Sequence, residues 1–184
     1  MSQGMPADSM ASNSDGVAPG NAALAKWVTD HTFGMKIRVE IKDMKEPGEM
    51  WRARTVDKDH VETLKASFKK LGTKNTNMVL AVQDDALYRE WSGWQAQNPG
   101  TAMPVEEQRR WIDTKFIDGG VCPSGMQTAA GNHSRNAQLK LILQYPHGAR
   151  WKYNEVQVLL CPSDRDSDEQ LRVMSVWDNV AAGV

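Results

Sequence analysis

The chain has 184 residues, enough for one domain with a proper core and a disordered tail. With 22 basic against 23 acidic residues its formal net charge is −1, so no global field draws it to nucleic acid or an anionic membrane, although a local basic patch is compatible with that balance. No apolar run has the length of a membrane span, no signal-peptide pattern opens the chain, and Cys122 and Cys161 make neither a disulfide scaffold nor a metal spacing, which points to a reduced intracellular setting, cytoplasmic or nuclear.

Residues 1–20 are mostly Ser, Asn, Gly, Pro, Ala and Met, too poor in large apolar groups to offset their ordering entropy, and are expected to form a disordered tail. Residues 21–184 are expected to form one domain. Asn21 is placed to cap a short helix carrying Ala23, Leu24, Trp27 and Val28, ended near Gly34. Lys36-Ile37-Arg38-Val39-Glu40-Ile41 alternates strictly and predicts a half-buried strand. An irregular loop follows from Lys45 to Arg54.

Asp57 fits a helix N-cap and Gly72 the position just past the helix end. Val61, Leu64, Phe68 and Leu71 then make one apolar stripe. His60, Thr63 and Ser67 share a neighbouring polar face, which reads either as a phosphate-holding surface or as a solvated flank.

Met78 to Val82 is a short apolar strand, expected to be buried on both sides. The segment 84–125 is long for a connection and reads as an insertion containing Tyr88, Trp91, Trp94 and a helix from Pro104 to Ile112. Its Trp91, Trp94 and Trp111 stack a base, grip a protein partner or form the insertion's own small core. Met126 to Ala129 reads as a short strand. Gly131-Asn132-His133-Ser134-Arg135 then forms a polar turn into a helix stopped at Pro146, and the free N–H groups of such a helix start suit an anion. Glu155 to Leu160 predicts another strand. A last helix, starting at Asp166, carries Leu171, Met174, Val176 and Trp177 and ends across 178–183.

Arg54-x-x-Asp57 before a helix with Leu64-x-x-Ser67-Phe68 and Gly72, an apolar strand, Gly131-x-x-x-x-x-Ala137 opening a helix, a strand to Leu160 and a helix with Asp178-Asn179 come in a familiar order. This order resembles the ParB/sulfiredoxin superfamily, chiefly ParB N-terminal domains, over roughly residues 36–179. The resemblance implies a small α/β (α+β) domain, a mixed sheet flanked by helices with a Trp-rich insertion, that binds nucleotides or phosphates. In sulfiredoxins the first helix reads Leu-Asp-x-x-Lys-Val-x-Ser-Leu-x-x-Thr, a frame that Val56-Asp57-x-x-His60-Val61-x-Thr63-Leu64-x-x-Ser67 matches. The turn departs from both branches. Asn132 stands where sulfiredoxins carry their nucleophilic cysteine, and His133-Ser134 replaces the paired arginines of ParB, with Arg135 one step away. An amide forms no sulfur ester, so sulfiredoxin activity is not expected.

The resemblance therefore implies a ligand site made of Arg54, His60, Thr63, Ser67, Gly131, Asn132, His133, Ser134 and Arg135; the spacing of the four histidines, for its part, offers no metal-ligand set. The implied ligand is a nucleotide, ATP or CTP with Mg²⁺, or another phosphate-bearing small molecule. The expected role is a regulatory binding module within a DNA-associated protein. Two other readings stand beside it. One is a phosphotransferase or nucleotide hydrolase with His133 as the catalytic proton carrier. The other is a degenerate scaffold that binds a protein partner through the Trp-rich insertion.

Overall fold

A computed structural model describes residues 19–52, 55–73, 76–117 and 125–181. The tail expected over 1–20 thus lies outside the described residues except for its last two positions. Among the described residues the elements are α1 (Pro19–His31), β1 (Ile37–Glu40), α2 (Lys58–Leu71), β2 (Met78–Gln83), α3 (Asp85–Gln97), α4 (Val105–Trp111), β3 (Gln127–Ala130), α5 (Asn132–Gln144), β4 (Tyr153–Cys161) and α6 (Arg165–Ala181). The fold is α/β, with a four-stranded mixed sheet in the order β1-β4-β2-β3.

The central pair is parallel: Met78 to Gln83 of β2 lie against Val156 to Cys161 of β4. The outer strands are antiparallel, β1 to β4 and β3 to β2. Central position explains composition, because β2 and β4 have neighbours on both faces and both edges and read as near-continuous apolar runs. Met78, Leu80, Val82, Val156, Val158 and Leu160 point to one layer. Ala81, Leu159 and Cys161 point to the other, against Trp27 of α1 and Leu171 and Met174 of α6. A third cluster joins α2 and α5 through Val61, Phe68, Ala137 and Leu141, closed by Trp151.

The alternation predicted for Lys36 to Ile41 gives the β1 strand over Ile37–Glu40, with Ile41 opening a 3-10 turn (Ile41–Asp43), and Asp57 and Gly72 do cap α2, Asp57 Oδ1 accepting the N–H groups of Asp59 and His60. Several expectations are corrected. α1 begins at Pro19, ahead of Asn21, whereas α6 ends at Ala181, inside the expected span. Val61, Leu64 and Phe68 of the expected stripe do face inward, joined by Lys65, whereas Leu71 is 71% exposed in the last turn. Lys65 is tolerated there because its Nζ reaches Glu62 at 3.2 Å; the same carboxylate meets Lys140 of α5, and both lysines hold it below the usual carboxylate range.

The segment 84–125 does more than decorate the surface. It supplies α3, α4 and a π-helical turn (Ile112–Phe116), and Trp91, Trp111, Ile112 and Phe116 join Phe33 in the main core. Trp91 and Trp111 are 2% and 7% exposed, so they cannot grip a partner from this arrangement; only Trp94 is half-buried at the rim. The energetically decisive residue of this layer is polar. Gln108 of α4 is fully buried; its Nε2 donates to the carbonyls of Phe33 and Met35, and its Oε1 accepts the Met35 N–H. One side chain thus satisfies three backbone groups in the bend between α1 and β1, where Gly34 (φ +68°) leaves no room for a Cβ beside it.

Replacing Gln108 by Met keeps the volume and removes those three bonds, so urea unfolding is expected to show a loss of about 3 kcal/mol. Burial also pushes the Cys161 thiol up to about 12. Its neutral form is favoured by folding, so this contribution is complete below the unfolded thiol's value of about 8.5 and is lost as pH climbs from there toward 12. Native protein at pH 8 is therefore expected to leave the Cys161 peptide unmodified by iodoacetamide, and urea to expose it.

Candidate functional site

The polar turn that opens α5 is built by a close approach of backbone to sheet. β3 pairs with β2, Ala130 opposite Val79, and the chain must then reverse at once into a helix. Gly131 does this at φ +89°, and a Cβ there would lie 2.7 Å from Met78 Cγ and 3.3 Å from its Cα. Only glycine satisfies both the left-handed backbone and that contact. Its C=O accepts the Arg135 N–H as the first bond of α5.

The α5 start differs from the α2 start in what meets its donors. α2 carries its own carboxylate cap, Asp57, and a further acid, Asp59, in its first turn. α5 has no side-chain cap and no acid in its first turn, whose side chains are Asn132, His133 and Ser134. The four N–H groups of a helix start together with the macrodipole amount to about half a positive charge.

The two starts meet through His133. This side chain, 9% exposed, accepts the Asp57 backbone N–H on Nε2 at 3.0 Å, which in the neutral ring puts the proton on Nδ1. The His60 ring stands edge-on to it, 5.1 Å between centroids. Asp57, His60 and His133 are thus gathered at one end of the α2–α5 pair, with Gly131 beginning the same turn.

The other expected residues are distributed differently. Thr63 is exposed and its hydroxyl donates to the Asp59 carbonyl of its own helix at 3.1 Å. Along the axis of α2, Thr63 and Ser67 lie about 4.5 and about 10 Å beyond His60, so one phosphate over His60 does not also reach Ser67. Asn132 is half-buried; its main-chain and side-chain oxygens accept from Asn136 Nδ2 at 2.8 and 3.3 Å. Arg135 turns to the 41–46 segment: its Nε donates to the Met44 carbonyl at 3.0 Å. Burial lowers its pKa, with Glu46 opposing the shift. That segment is itself fixed along β3, since Lys45 exchanges backbone bonds with Met126 and Thr128. Ser134 is half-buried in the first turn of α5. Arg54 lies outside the described residues, as does Cys122.

Among the described residues no group of three or more His, Cys, Asp or Glu side chains is placed to hold a metal ion, and no helix is long and apolar enough to cross a membrane. No family model matches the chain, and no curated protein does. Among solved structures, the chain is similar to the C-terminally truncated chromosome-partitioning protein ParB from Caulobacter crescentus, crystallised in complex with CTP-gamma-S. The identity is 14% and the TM-score 0.41; the match covers 80% of this chain and 54% of that one, so the chain spans about half the length of this neighbour. A likeness at that level carries no ligand or activity across.

The geometry of the turn makes a direct prediction. Gly131→Ala must move either Met78 or the α5 start, and is expected to cost about 2 kcal/mol or more in urea unfolding, whereas Gly93→Ala, with open space around its Cβ in α3, is expected to be neutral or mildly stabilising.

Proposed function

We propose that this chain is a binding module for a nucleotide or other phosphate-bearing ligand, whose anionic group sits over the start of α5. One observation carries the reading. A 13-residue helix leaves the sheet directly from a left-handed glycine with neither a capping side chain nor an acid in its first turn, while the neighbouring helix start is saturated by its own Asp57. Gly131, Ser134 and His60 are the contacts assigned to the ligand, and Asn132 shapes the turn. His133 is assigned a positioning role, since its Nε2 holds the Asp57 amide and so ties α2 to α5. Proton transfer through Nε2 would require that bond to open. The role is therefore binding and regulation rather than phosphoryl transfer, and association with DNA belongs to the same proposal through the sequence resemblance alone.

Ser134→Asp tests this with a built-in control. A carboxylate in the first turn of α5 competes with a ligand anion and also complements the helix dipole, so the unliganded variant is expected to gain a degree or two in Tm. Wild-type protein titrated with ATP, ADP, CTP and GTP, with and without Mg²⁺, is expected to show a concentration-dependent rise in Tm with at least one of them, and Ser134→Asp to lose it. No rise with any nucleotide, or a rise that Ser134→Asp leaves intact, removes the proposal.

A further inference from the structure

The far end of α2 holds a second feature, unrelated to the α5 turn. A cavity of about 730 Å³ opens where α2 ends and β1 and β4 begin. α2 spans about 20 Å, so this cavity and the α5 start lie at opposite ends of the helix. Among the described residues three cations line it: Lys36 and Arg38, which share a face because strand side chains repeat every second residue, and Arg150 from the 3-10 turn (Ala149–Trp151) before β4. Among the described residues none of the three has a carboxylate partner. One acid, Glu155, also lines the cavity.

The two arginines are held in place rather than waving in solvent. Arg38 stacks its guanidinium 4.2 Å above the Tyr153 ring, which orients it while leaving its N–H groups available. Arg150 leans on the end of α2, donating to the Lys69 carbonyl at 3.4 Å. The floor is rigid and already satisfied. Asn154 donates to Gln138 Oε1 at 2.7 Å and to Thr76 Oγ1 at 2.8 Å, and Thr76 in turn donates to the Thr73 carbonyl at 2.8 Å. The Thr73 hydroxyl has no partner among the described residues and lines the cavity.

Charge decides what such a site takes. Three cations against Glu155 leave a surplus of two, and the C-terminal end of α2 subtracts about half a charge. A triphosphate with about four negative charges would be under-neutralised, whereas a phosphomonoester carries about −1.5 to −2 at pH 7. The volume lies within the range of small-molecule sites, about 300–1,000 Å³. We propose that the cavity lined by Lys36, Arg38 and Arg150 binds a small phosphomonoester, a sugar phosphate or a nucleoside monophosphate, with its dianion between the two arginines. The Thr73 and Tyr153 hydroxyls serve its polar body.

Calorimetric titration with adenosine 5′-monophosphate and ribose 5-phosphate, against adenosine and ribose, tests this on the full chain. Both phosphates are expected to bind saturably, to be displaced by inorganic phosphate, and to lose roughly tenfold or more in affinity in Arg38→Gln and in Arg150→Gln. Both substitutions fall on exposed side chains, and an unchanged Tm without ligand verifies that the variants fold. Ser134→Asp, at the other end of α2, is expected to leave this binding intact. No saturable binding overturns the proposal. So does binding that survives both arginine variants but falls in Ser134→Asp, which would assign the phosphate to the α5 start and leave the proposed function standing. Binding of single-stranded DNA at these arginines with a steep salt dependence and no competition by the monoesters also overturns it.

Discussion

The approach of Gly131 to Met78 is the constraint on which the functional half of the molecule depends. A strand that must turn directly into a helix has two to four residues in which to reverse its hydrogen-bonding direction, and here one does most of it. Because Gly131 lies against the start of β2, α5 is launched at a fixed point beside the sheet. Every later contact inherits that placement. Gln138, two turns along, reaches the carbonyls of Trp151 and Tyr153; Arg135 reaches Met44; His133 reaches the Asp57 amide. Shifting the turn by one residue would rotate α5 by about 100° and break all three sets together.

Buried polar side chains do the joining that apolar packing alone leaves loose. Gln108 ties the α1–β1 bend to α4, and Asn154, Gln138 and Thr76 tie β4 to α5 and to the segment ahead of β2. Each bond adds modestly to stability, but each lost partner would leave a buried group unsatisfied, so they specify one arrangement more than they strengthen it. The aromatic layer around Phe33 then fills the space these ties define.

The two ends of α2 carry opposite chemistry. At its start a carboxylate cap and two imidazoles surround the α5 turn; at its finish three cations with no carboxylate partner among the described residues face a cavity. A chain of net charge −1 can hold both because the balance is local rather than global. The strand alternation that marks Lys36 and Arg38 as same-face neighbours was visible in the sequence, but their convergence with Arg150 requires β1 to lie antiparallel to β4, over a hundred residues later.

What residue order determined by itself is the local grammar. Asp57 and Gly72 mark the ends of α2, strict alternation marks β1, apolar runs mark β2 and β4, and glycine before a polar turn marks the start of α5. These signals are legible because capping, period and backbone freedom act within a few residues. Tertiary structure decided the rest. It took Trp91 and Trp111 into the core and left Leu71 outside, and it buried Gln108 while exposing Val105 beside it, 47% accessible. It committed His133 Nε2 to an amide 76 residues away and turned Arg135 toward Met44. Those outcomes depend on which surfaces meet, and hydrogen bonding and burial across such separations have no period in the sequence to announce them.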